Sequence, residues 1–551
     1  MTKTLQFDPH RLYFIPLGGS GEIGMNLNVY AYGGKLLVVD VGVTFEKLPG
    51  VEVVMPHVSW LRKQKKHIAG IVLTHAHEDH IGAIGHLWPD LEAPLYATPF
   101  TSQIIKHKLR EARVRAPLHE VPLSSEVALG PFRVGFISLT HSIPEPSALA
   151  IQTEAGIVVH TGDWKIDANP LVGEATNQEA LQAVGDAGVL GVVCDSTCVF
   201  EKGWSGSEKT VQDALVHQVS SITKGRVVIA CFASNVARLV SCFEAAKKSG
   251  RSIVLAGRSL ERMEAASRET DYLDDNLTAL TPKEGKGLAA DKTLIVATGS
   301  QGEPKAALRR MAEGHHPFLK LDAGDTVIFS SRIIPGNEKE IFALQNKLTQ
   351  KGVRVITPKD VPDIHVSGHP SCEELKQMYA WTRPKNVIPV HGEDRHLEAH
   401  KQLAHDLGIA SIAPHNGDVI LFDAKEGPKK VGHVPTGRVG LDGSRLISMD
   451  NPLLSQRTRL SHDGVVLVSG VFHDDRLEAL KVHTVGLFCS ADHKDDATHE
   501  LSALVKRTLG HMSAKHYDDP DKMQAIVAKE VRSYCYDTIG KRPLVVVHVL
   551  T

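Results

Sequence analysis

Short runs of β-branched and aromatic residues, each closed by Gly, Asp or His, fill the first 200 positions. Residues 12–17 (LYFIPL), 27–32 (LNVYAY), 36–42 (LLVVDVG), 68–74 (IAGIVLT), 134–140 (VGFISLT), 148–153 (ALAIQT), 156–162 (GIVVHTG) and 188–197 (GVLGVVCDST) each predict a strand. Helical periodicity intervenes at 99–111 and 209–224. Strands set before and between a few helices predict a sheet sandwich covered by helices. From about 208 the pattern alternates helix and strand: strands at 226–233, 252–257, 293–300, 325–331 and 353–358, helices at 235–249, 304–312 and 337–350. That rhythm predicts a parallel α/β unit. Residues 360–425 return to short strands and polar loops, including NVIPVHGE (386–393) followed by the helix DRHLEAHKQLAHDLG. The last stretch predicts a small α+β domain, with strands VVLVSGVF, KVHTVGLFCS and PLVVVHVL and helices near 496–510 and 521–537. The boundaries expected from these changes are 1–207, 208–360, 361–455 and 456–551, with a linker near 450–460.

A length of 551 residues, at about 150 per domain, agrees with several domains. Apolar residues at 42% and charged residues at 23% exclude a disordered or collagenous chain. Lys and Arg less Asp and Glu is 62 − 64 = −2, so there is no global basic field of the kind that drives unspecific nucleic-acid binding. Aromatics at 5% argue against a surface built mainly for base stacking. The N-terminal residues lack the apolar core and cleavage site of a signal peptide, and no apolar run approaches the roughly 20 residues of a membrane span. Seven cysteines, few and mostly in apolar segments, read as the reduced thiols of a cytoplasmic protein. Cys194 and Cys198 lack the second Cys/His pair that a zinc finger needs.

Gly19-Ser-Gly21-Glu-Ile-Gly24 matches GxGxxG, but a dinucleotide site needs a helix next, and MNLNVYAY alternates like a strand. The glycines are expected to form a tight turn. Thr74-His75-Ala76-His77-Glu78-Asp79-His80 carries a different signal. Four candidate ligands within six residues, at the end of a buried strand, can converge on one point, and imidazole with carboxylate suits Zn²⁺ or Mn²⁺. A run of solvated loop residues seldom combines three His and an Asp at such a place. His141 closes another strand, Asp163 follows GIVVHTG, and His391 lies in PVHGE. Each alone reads as a cap or turn residue; their repeated placement at strand ends points to one sheet edge.

The pattern HxHxDH followed by a later His and Asp resembles the metallo-β-lactamase superfamily. Asp195 in CDST, His369 in HVSGH and His391 in VIPVHGE resemble the further motifs of its β-CASP nucleases. TGSQGEP (298–304), SSRIIPGNE (330–338) and the C-terminal segment are similar to the ribonuclease J family. The similarity covers essentially the whole chain in the family order. It departs from the family at Pro370, which removes a backbone N–H from the HVSGH loop, and at Arg332, a cation with the reach to add a phosphate contact.

The resemblance implies an α/β fold: an αβ/βα metallo-β-lactamase sandwich (1–207 and 361–455), an inserted parallel α/β β-CASP domain (208–360) and a small α+β C-terminal domain (456–551). It implies a ribonuclease with 5′→3′ exonuclease and internal cleavage activity, serving RNA decay and maturation, rRNA processing included. Two Zn²⁺ per subunit, with Mn²⁺ or Mg²⁺ as alternative activating ions, would generate hydroxide to attack the phosphodiester. His75, His77 and His141 would hold the first ion, Asp79, His80 and His391 the second, and Asp163 would bridge them. Asp195 would orient a histidine or handle protons, with Asp79 also counted as catalytic, and His369 would stabilise charge or protonate the leaving group. The loop His365-Val366-Ser367-Gly368-His369 would bind substrate phosphate. Ala233, Ser234 and Asn235, before an expected helix, offer another phosphate contact, although Ser and Asn there also read as ordinary N-caps. The implied partners are single-stranded RNA, preferentially 5′-monophosphorylated, further copies of the chain in a homodimer or homotetramer, and other RNA-decay proteins, with no membrane. The basic runs 63–67 and 106–115 read more simply as solvated faces than as an RNA track. A small-molecule hydrolase would need only the first 200 residues, and a silent scaffold would not keep every ligand.

Overall fold

Two mixed sheets face each other across one apolar layer in the computed structural model, which describes residues 7–274, 276–473, 476–487, 491–512 and 519–550. The first has eight strands in the order Lys429–His433, Asp418–Leu421, Tyr13–Gly18, Leu27–Tyr32, Lys35–Val39, Ile68–Val72, Leu95–Ala97 and Leu118–Glu120. The second has seven: Glu126–Leu129, Phe132–Ser138, Ser147–Thr153, Gly156–His160, Val189–Asp195, Asn386–Val390 and Ala410–Ser411. Phe14, Tyr30, Leu37 and Val72 from one sheet meet Phe136, Leu149, Val158, Val193 and Ile388 from the other, all buried. Each such side chain contributes about 1.5–3 kcal/mol of burial free energy. The second sheet is also covered outside, where Val192, Cys194 and Val387 pack with Leu181, Leu375, Met378 and Ala404 of the helices Gln178–Ala187, Cys372–Thr382 and Asp394–Asp406. Burial on both faces explains why Val189–Asp195 is apolar almost throughout and then ends on an acid.

That acid marks the working end of the sheet. Gly156–His160, Val189–Asp195 and Asn386–Val390 pair in parallel, so the loops that leave them emerge side by side. Ile68–Val72 runs parallel to Lys35–Val39 in the facing sheet. The GxGxxG glycines form a turn, as their neighbours suggest: Gly19, Gly21 and Gly24 all have positive φ, and a strand follows.

Between the two parts of the sandwich lies a sheet of five parallel strands in the order Ser252–Ala256, Thr293–Ala297, Val227–Ala230, Thr326–Phe329 and Arg354–Ile356. Helices Glu208–Ser221 and Val236–Ser249 cover one face, and Ala307–Glu313 and Glu338–Gln350 the other.

The chain divides into two compact units. One comprises Met1–Thr44 and Met55–Gly437, the other Phe45–Val54 and Arg438–Thr551. The second unit contains a four-stranded sheet in which the hairpin strands Thr44–Leu48 and Val51–Pro56 join Arg438–Asp442 and Arg445–Ser448. The stretch read as a linker near 450–460 instead carries the helix Pro452–Asp463, capped by the Asn451 side chain on the Leu453 amide. Proline at the first helical position and Asn before it are a helix-start signal. Beyond it the strands Arg476–Val485, Val465–His473 and Leu544–Leu550 form a sheet packed on the helices Ala491–Gly510 and Pro520–Ile539 through Val466, Val468, Leu501, Val505, Val527 and Val531. Among the described residues no helix is long and apolar enough to cross a membrane.

Candidate metal centre

Seven side chains from four loops that leave strand ends of the two sheets converge on one place. His75, His77, Asp79 and His80 follow the strand Ile68–Val72, with Asp79 and His80 in the one-turn helix Glu78–Ile81. His141 and Asp163 leave the second sheet, and His391 sits directly after Asn386–Val390. The tight loop needs close backbone approach. A Cβ on Gly42 would lie 1.7 Å from the Asp79 carbonyl oxygen, so only glycine lets that segment run against the ligand loop. The amides of Val41 and Val43 donate to the carbonyls of His80 and Glu78 there. His391 holds a left-handed backbone, φ 53°, and donates its amide to Gly19 O at 2.6 Å. A non-glycine residue in that region is strained, and the surrounding structure holds it.

The atoms fall into two overlapping sets, one of His75, His77, His141 and Asp163, the other of Asp79, His80, Asp163 and His391. His77 Nδ1 lies 3.1 Å from both His75 Nε2 and His141 Nε2. Asp163 Oδ1 lies 3.0 Å from His391 Nδ1 and 3.1 Å from His80 Nε2, and Asp79 Oδ2 lies 3.1 Å from His391 Nε2. A third set, Asp163, Asp195, His369 and His391, shares two members with the second.

Outer hydrogen bonds fix which way the rings face. His141 Nδ1 donates to Gly368 O. His80 Nδ1 donates to Asp40 Oδ2 at 2.7 Å. His75 Nδ1 faces Thr74 Oγ1 at 3.0 Å, and that hydroxyl donates in turn to the Asp40 carboxylate. With their outer nitrogens donating, the inner ones present lone pairs to one another. Asp163 Oδ1 is buried and accepts no hydrogen bond, despite two imidazole nitrogens close by. Buried acceptors facing acceptors are costly unless a cation lies between them. Tetrahedral coordination with bonds of about 2.0–2.1 Å sets ligand atoms about 3.3 Å apart. The donor set therefore fits divalent metal.

Burial holds the His75 and His141 imidazoles well below the ordinary range and His77 down to about 4, reinforced by neighbouring imidazoles, so all three are neutral, as ligands must be. Burial would raise the Asp163 carboxyl, but His391, His80 and His369 pull it well below. Burial likewise opposes protonation of His80 and His391. In both, the carboxylates around them, Asp163 foremost, win and raise the imidazole, so that without an ion a proton takes the place that a cation would fill.

Asp195 and His369 form the adjoining pair. Asp195 Oδ2 accepts from His369 Nδ1 at 2.8 Å, and its Oδ1 accepts from the Thr197 amide and hydroxyl at 2.9 and 2.7 Å. The HVSGH loop reaches the centre through Gly368, whose Cβ, if present, would lie 2.7 Å from His141 Cε1. Ser367 Oγ accepts from the His369 amide at 3.1 Å and lies 3.3 Å from Cys198 Sγ. Val366 packs against the core of the inserted sheet. His365 has a buried Nδ1 with no partner, and burial, with Arg238, Arg332 and Lys165, holds it down to about 3.

Other candidates have different surroundings. Asn235 caps the helix Val236–Ser249, its Oδ1 accepting from the Arg238 amide at 2.8 Å; Ser234 is half-buried, and Ala233 packs against the helix core. Arg332 pairs with Glu201 at 2.6 Å. Pro370 is buried just before Ser371, which caps Cys372–Thr382. Several residues of the basic runs pair with carboxylates: Lys65 with Glu92, Lys106 with Glu120 and Lys108 with Glu78. Burial pushes the Cys194 thiol up to about 12, the reverse of a metal-binding thiolate.

Two features escaped the sequence reading. Asp40 is fully buried with φ 64° and orients both His80 and Thr74. An acid closing the apolar run LLVVD is the same signal that marks Asp163 and Asp195. His400 is buried too, with Nδ1 2.9 Å from Ser196 Oγ and Nε2 against the Tyr379 hydroxyl. It looks like one more polar position of an amphipathic helix until the helix is docked.

Four family profiles match the chain in register with this architecture: the β-lactamase superfamily domain over residues 38–190, the ribonuclease J β-CASP domain over 224–348, the Zn-dependent metallo-hydrolase RNA specificity domain over 359–414 and the ribonuclease J C-terminal domain over 452–551. Ribonuclease J of Sinorhizobium meliloti is 39% identical over 98% of this chain and 97% of its own length. Ribonuclease J of Mycolicibacterium smegmatis is 36% identical over 98% of both chains, and ribonuclease J 1 of Streptococcus pyogenes is 34% identical over 99% of both. In fold, a solved protein of unknown function from Enterococcus faecalis aligns with a TM-score of 0.54 at 17% identity, covering 75% of this chain and all of that one.

Proposed function

The chain belongs to the ribonuclease J family, and from that premise we propose that it degrades single-stranded RNA from the 5′ end and also cuts internally, with two divalent ions at the centre described. It is a ribonuclease, a metal-dependent hydrolase acting on RNA. The ions are Zn²⁺, with Mn²⁺ or Mg²⁺ as substitutes. His75, His77 and His141 would hold one, Asp79, His80 and His391 the other, and Asp163, common to both sets, would serve each. When bound, such ions lower the pKa of water toward neutrality and offset the charge of a phosphodiester under attack.

The chain's own residues do the rest. Asp40 and the Gly368 carbonyl keep His80 and His141 in the tautomer that presents Nε2 inward. Against burial, Asp195, which accepts from His369 Nδ1, and Asp163 raise that imidazole, so that in the protonated ring Nε2 donates to a phosphoryl oxygen or to the departing 3′ oxygen. The HVSGH loop offers the Ser367 hydroxyl and backbone amides to phosphate, which favours a 5′-monophosphate over a triphosphate. The products are a 5′-phosphate on the downstream RNA and a 3′-hydroxyl on the released piece. The protein acts in the cytoplasm as a homodimer or homotetramer.

The observation that carries the reading is the buried Asp163 oxygen set between two imidazoles with no hydrogen bond of its own. The test is a product ladder from metal-loaded protein on 5′-monophosphate and 5′-triphosphate RNAs, run beside a metal analysis. Mononucleotides released faster from the monophosphate substrate are expected. Binding without cleavage, or turnover only of thioesters or lactams, would overturn it.

A further inference from the structure

We propose that Trp204 is a base-stacking platform for the RNA strand, held beside the HVSGH loop by the buried carboxylate of Glu374; the inference rests on the ribonuclease reading above. Of the five tryptophans, Trp164 and Trp381 are buried, Trp60 and Trp88 half-buried, and Trp204 is 57% exposed. Phe45 and Phe200 are exposed to a similar degree, but the indole presents the larger flat face, with an N–H at its edge.

The backbone that displays it is pinned. Glu374 is wholly buried and accepts from the Ser205 amide at 3.0 Å, the Ser205 hydroxyl at 2.6 Å, the Ser371 amide at 2.7 Å and the Ile166 amide at 2.9 Å. One carboxylate thus ties the Trp204 segment to the end of the HVSGH loop and to the loop that carries Asp163. On the other side of Trp204, Gly203 O accepts from the Glu373 amide at 3.2 Å and Glu201 O from the Cys372 amide at 3.0 Å. The segment lies along the phosphate loop at both ends: Cys198 Sγ is 3.3 Å from Ser367 Oγ, and a Cβ on Gly206 would lie 2.9 Å from Val366 Cγ1.

An exposed indole on a rigid support loses little entropy when a flat ring lands on it, which is what makes a surface aromatic a binding element. Nucleobases are the flat rings the substrate brings. Stacking is tolerant of sequence because every base has a π-face, as suits an enzyme stepping along RNA. The nearby Phe200 is differently employed: the Arg395 guanidinium lies 5.9 Å above its ring and the His396 ring 5.1 Å away. A single platform also agrees with a chain that is only 5% aromatic.

The test compares the metal-loaded wild type with Trp204→Ala and Trp204→Phe on a 5′-monophosphorylated RNA and on versions with one base removed at successive positions. Trp204→Ala is expected to raise KM about tenfold with little change in kcat, and Trp204→Phe to restore most of the loss. One abasic position should cost the wild type about tenfold and cost Trp204→Ala nothing more. A Trp204→Ala enzyme with unchanged KM, as expected if the indole met a protein partner instead, would overturn the platform and leave the ribonuclease reading intact. So would an abasic penalty equal in both enzymes. A wild type that cleaves no RNA would overturn both.

Discussion

At the scale of single residues, the centre depends on side chains that never touch a metal as much as on those that do. Asp40 shows this most plainly: its carboxylate accepts from His80 Nδ1, the Thr74 amide and the Thr74 hydroxyl. Replacing it with Asn keeps the size but lets the amide turn a donor toward His80. Asp40→Asn is expected to weaken metal binding about 10- to 100-fold, the usual effect of losing such an outer partner. Metal titration followed by competition with a chromophoric chelator checks it, and wild-type affinity would show that the ring needs no such support. His369 is expected to behave in the opposite way. It is held by Asp195, so His369→Ala should slow cleavage while metal content stays near that of the wild type. Loss of the ions in that variant would move His369 into the ligand set, alongside Asp195, where its proximity to Asp163 and His391 also allows it.

At the scale of elements, what mattered for the site was legible where chemistry coincides with the end of an apolar run. The strands 68–74, 156–162 and 188–197 each announce themselves by hydrophobic pattern and then break on His or Asp, so both the sheets and the candidate ligands could be read together. Pairing across long separations is different. The hairpin Thr44–Leu48 and Val51–Pro56, with Gly50 at φ 80° in its turn, joins strands nearly 400 positions later, and nothing local in TFEKLPGVEVVMP names that partner. Helix contacts are equally silent. His400 becomes significant only because Asp394–Asp406 docks against Tyr379 and Ser196, tying the helices that begin just after the HVSGH loop and His391 to the strand that ends in Asp195. Burial holds His400 down to about 4, against about 6.5 for histidine in an unfolded chain. Between those values the unfolded state binds the extra proton, so this group's contribution falls as pH falls, by about 2 kcal/mol from pH 7 to pH 5. His400→Asn keeps a donor near Ser196 but cannot titrate. Denaturant unfolding at the two pH values should therefore show a smaller acid loss in His400→Asn than in the wild type; equal losses would mean that His400 is not neutral in the fold.

At the scale of the whole molecule, a single bound centre gathers residues from 75 to 391, so ions there link segments spread over most of the larger unit. Ligands that bind only the folded state stabilise it by mass action, about 4 kcal/mol at a thousandfold excess over Kd. Chelation is expected to lower Tm by several degrees and re-addition of Zn²⁺ to restore it. A Tm indifferent to chelation would argue that the cluster is satisfied without metal. The second unit, with its own core of Val466, Leu501, Val505 and Val531, takes no part in that set of ligands.

Asp163 is where every strand of the account meets, and the most direct test is the amount of divalent metal bound per chain in the wild type and in Asp163→Ala, with RNA cleavage assayed on the same preparations. Two ions and active enzyme in the wild type, against a diminished metal content and no cleavage in Asp163→Ala, are the predicted results. A variant that keeps both ions, or that cuts RNA at the wild-type rate, would contradict the assignment.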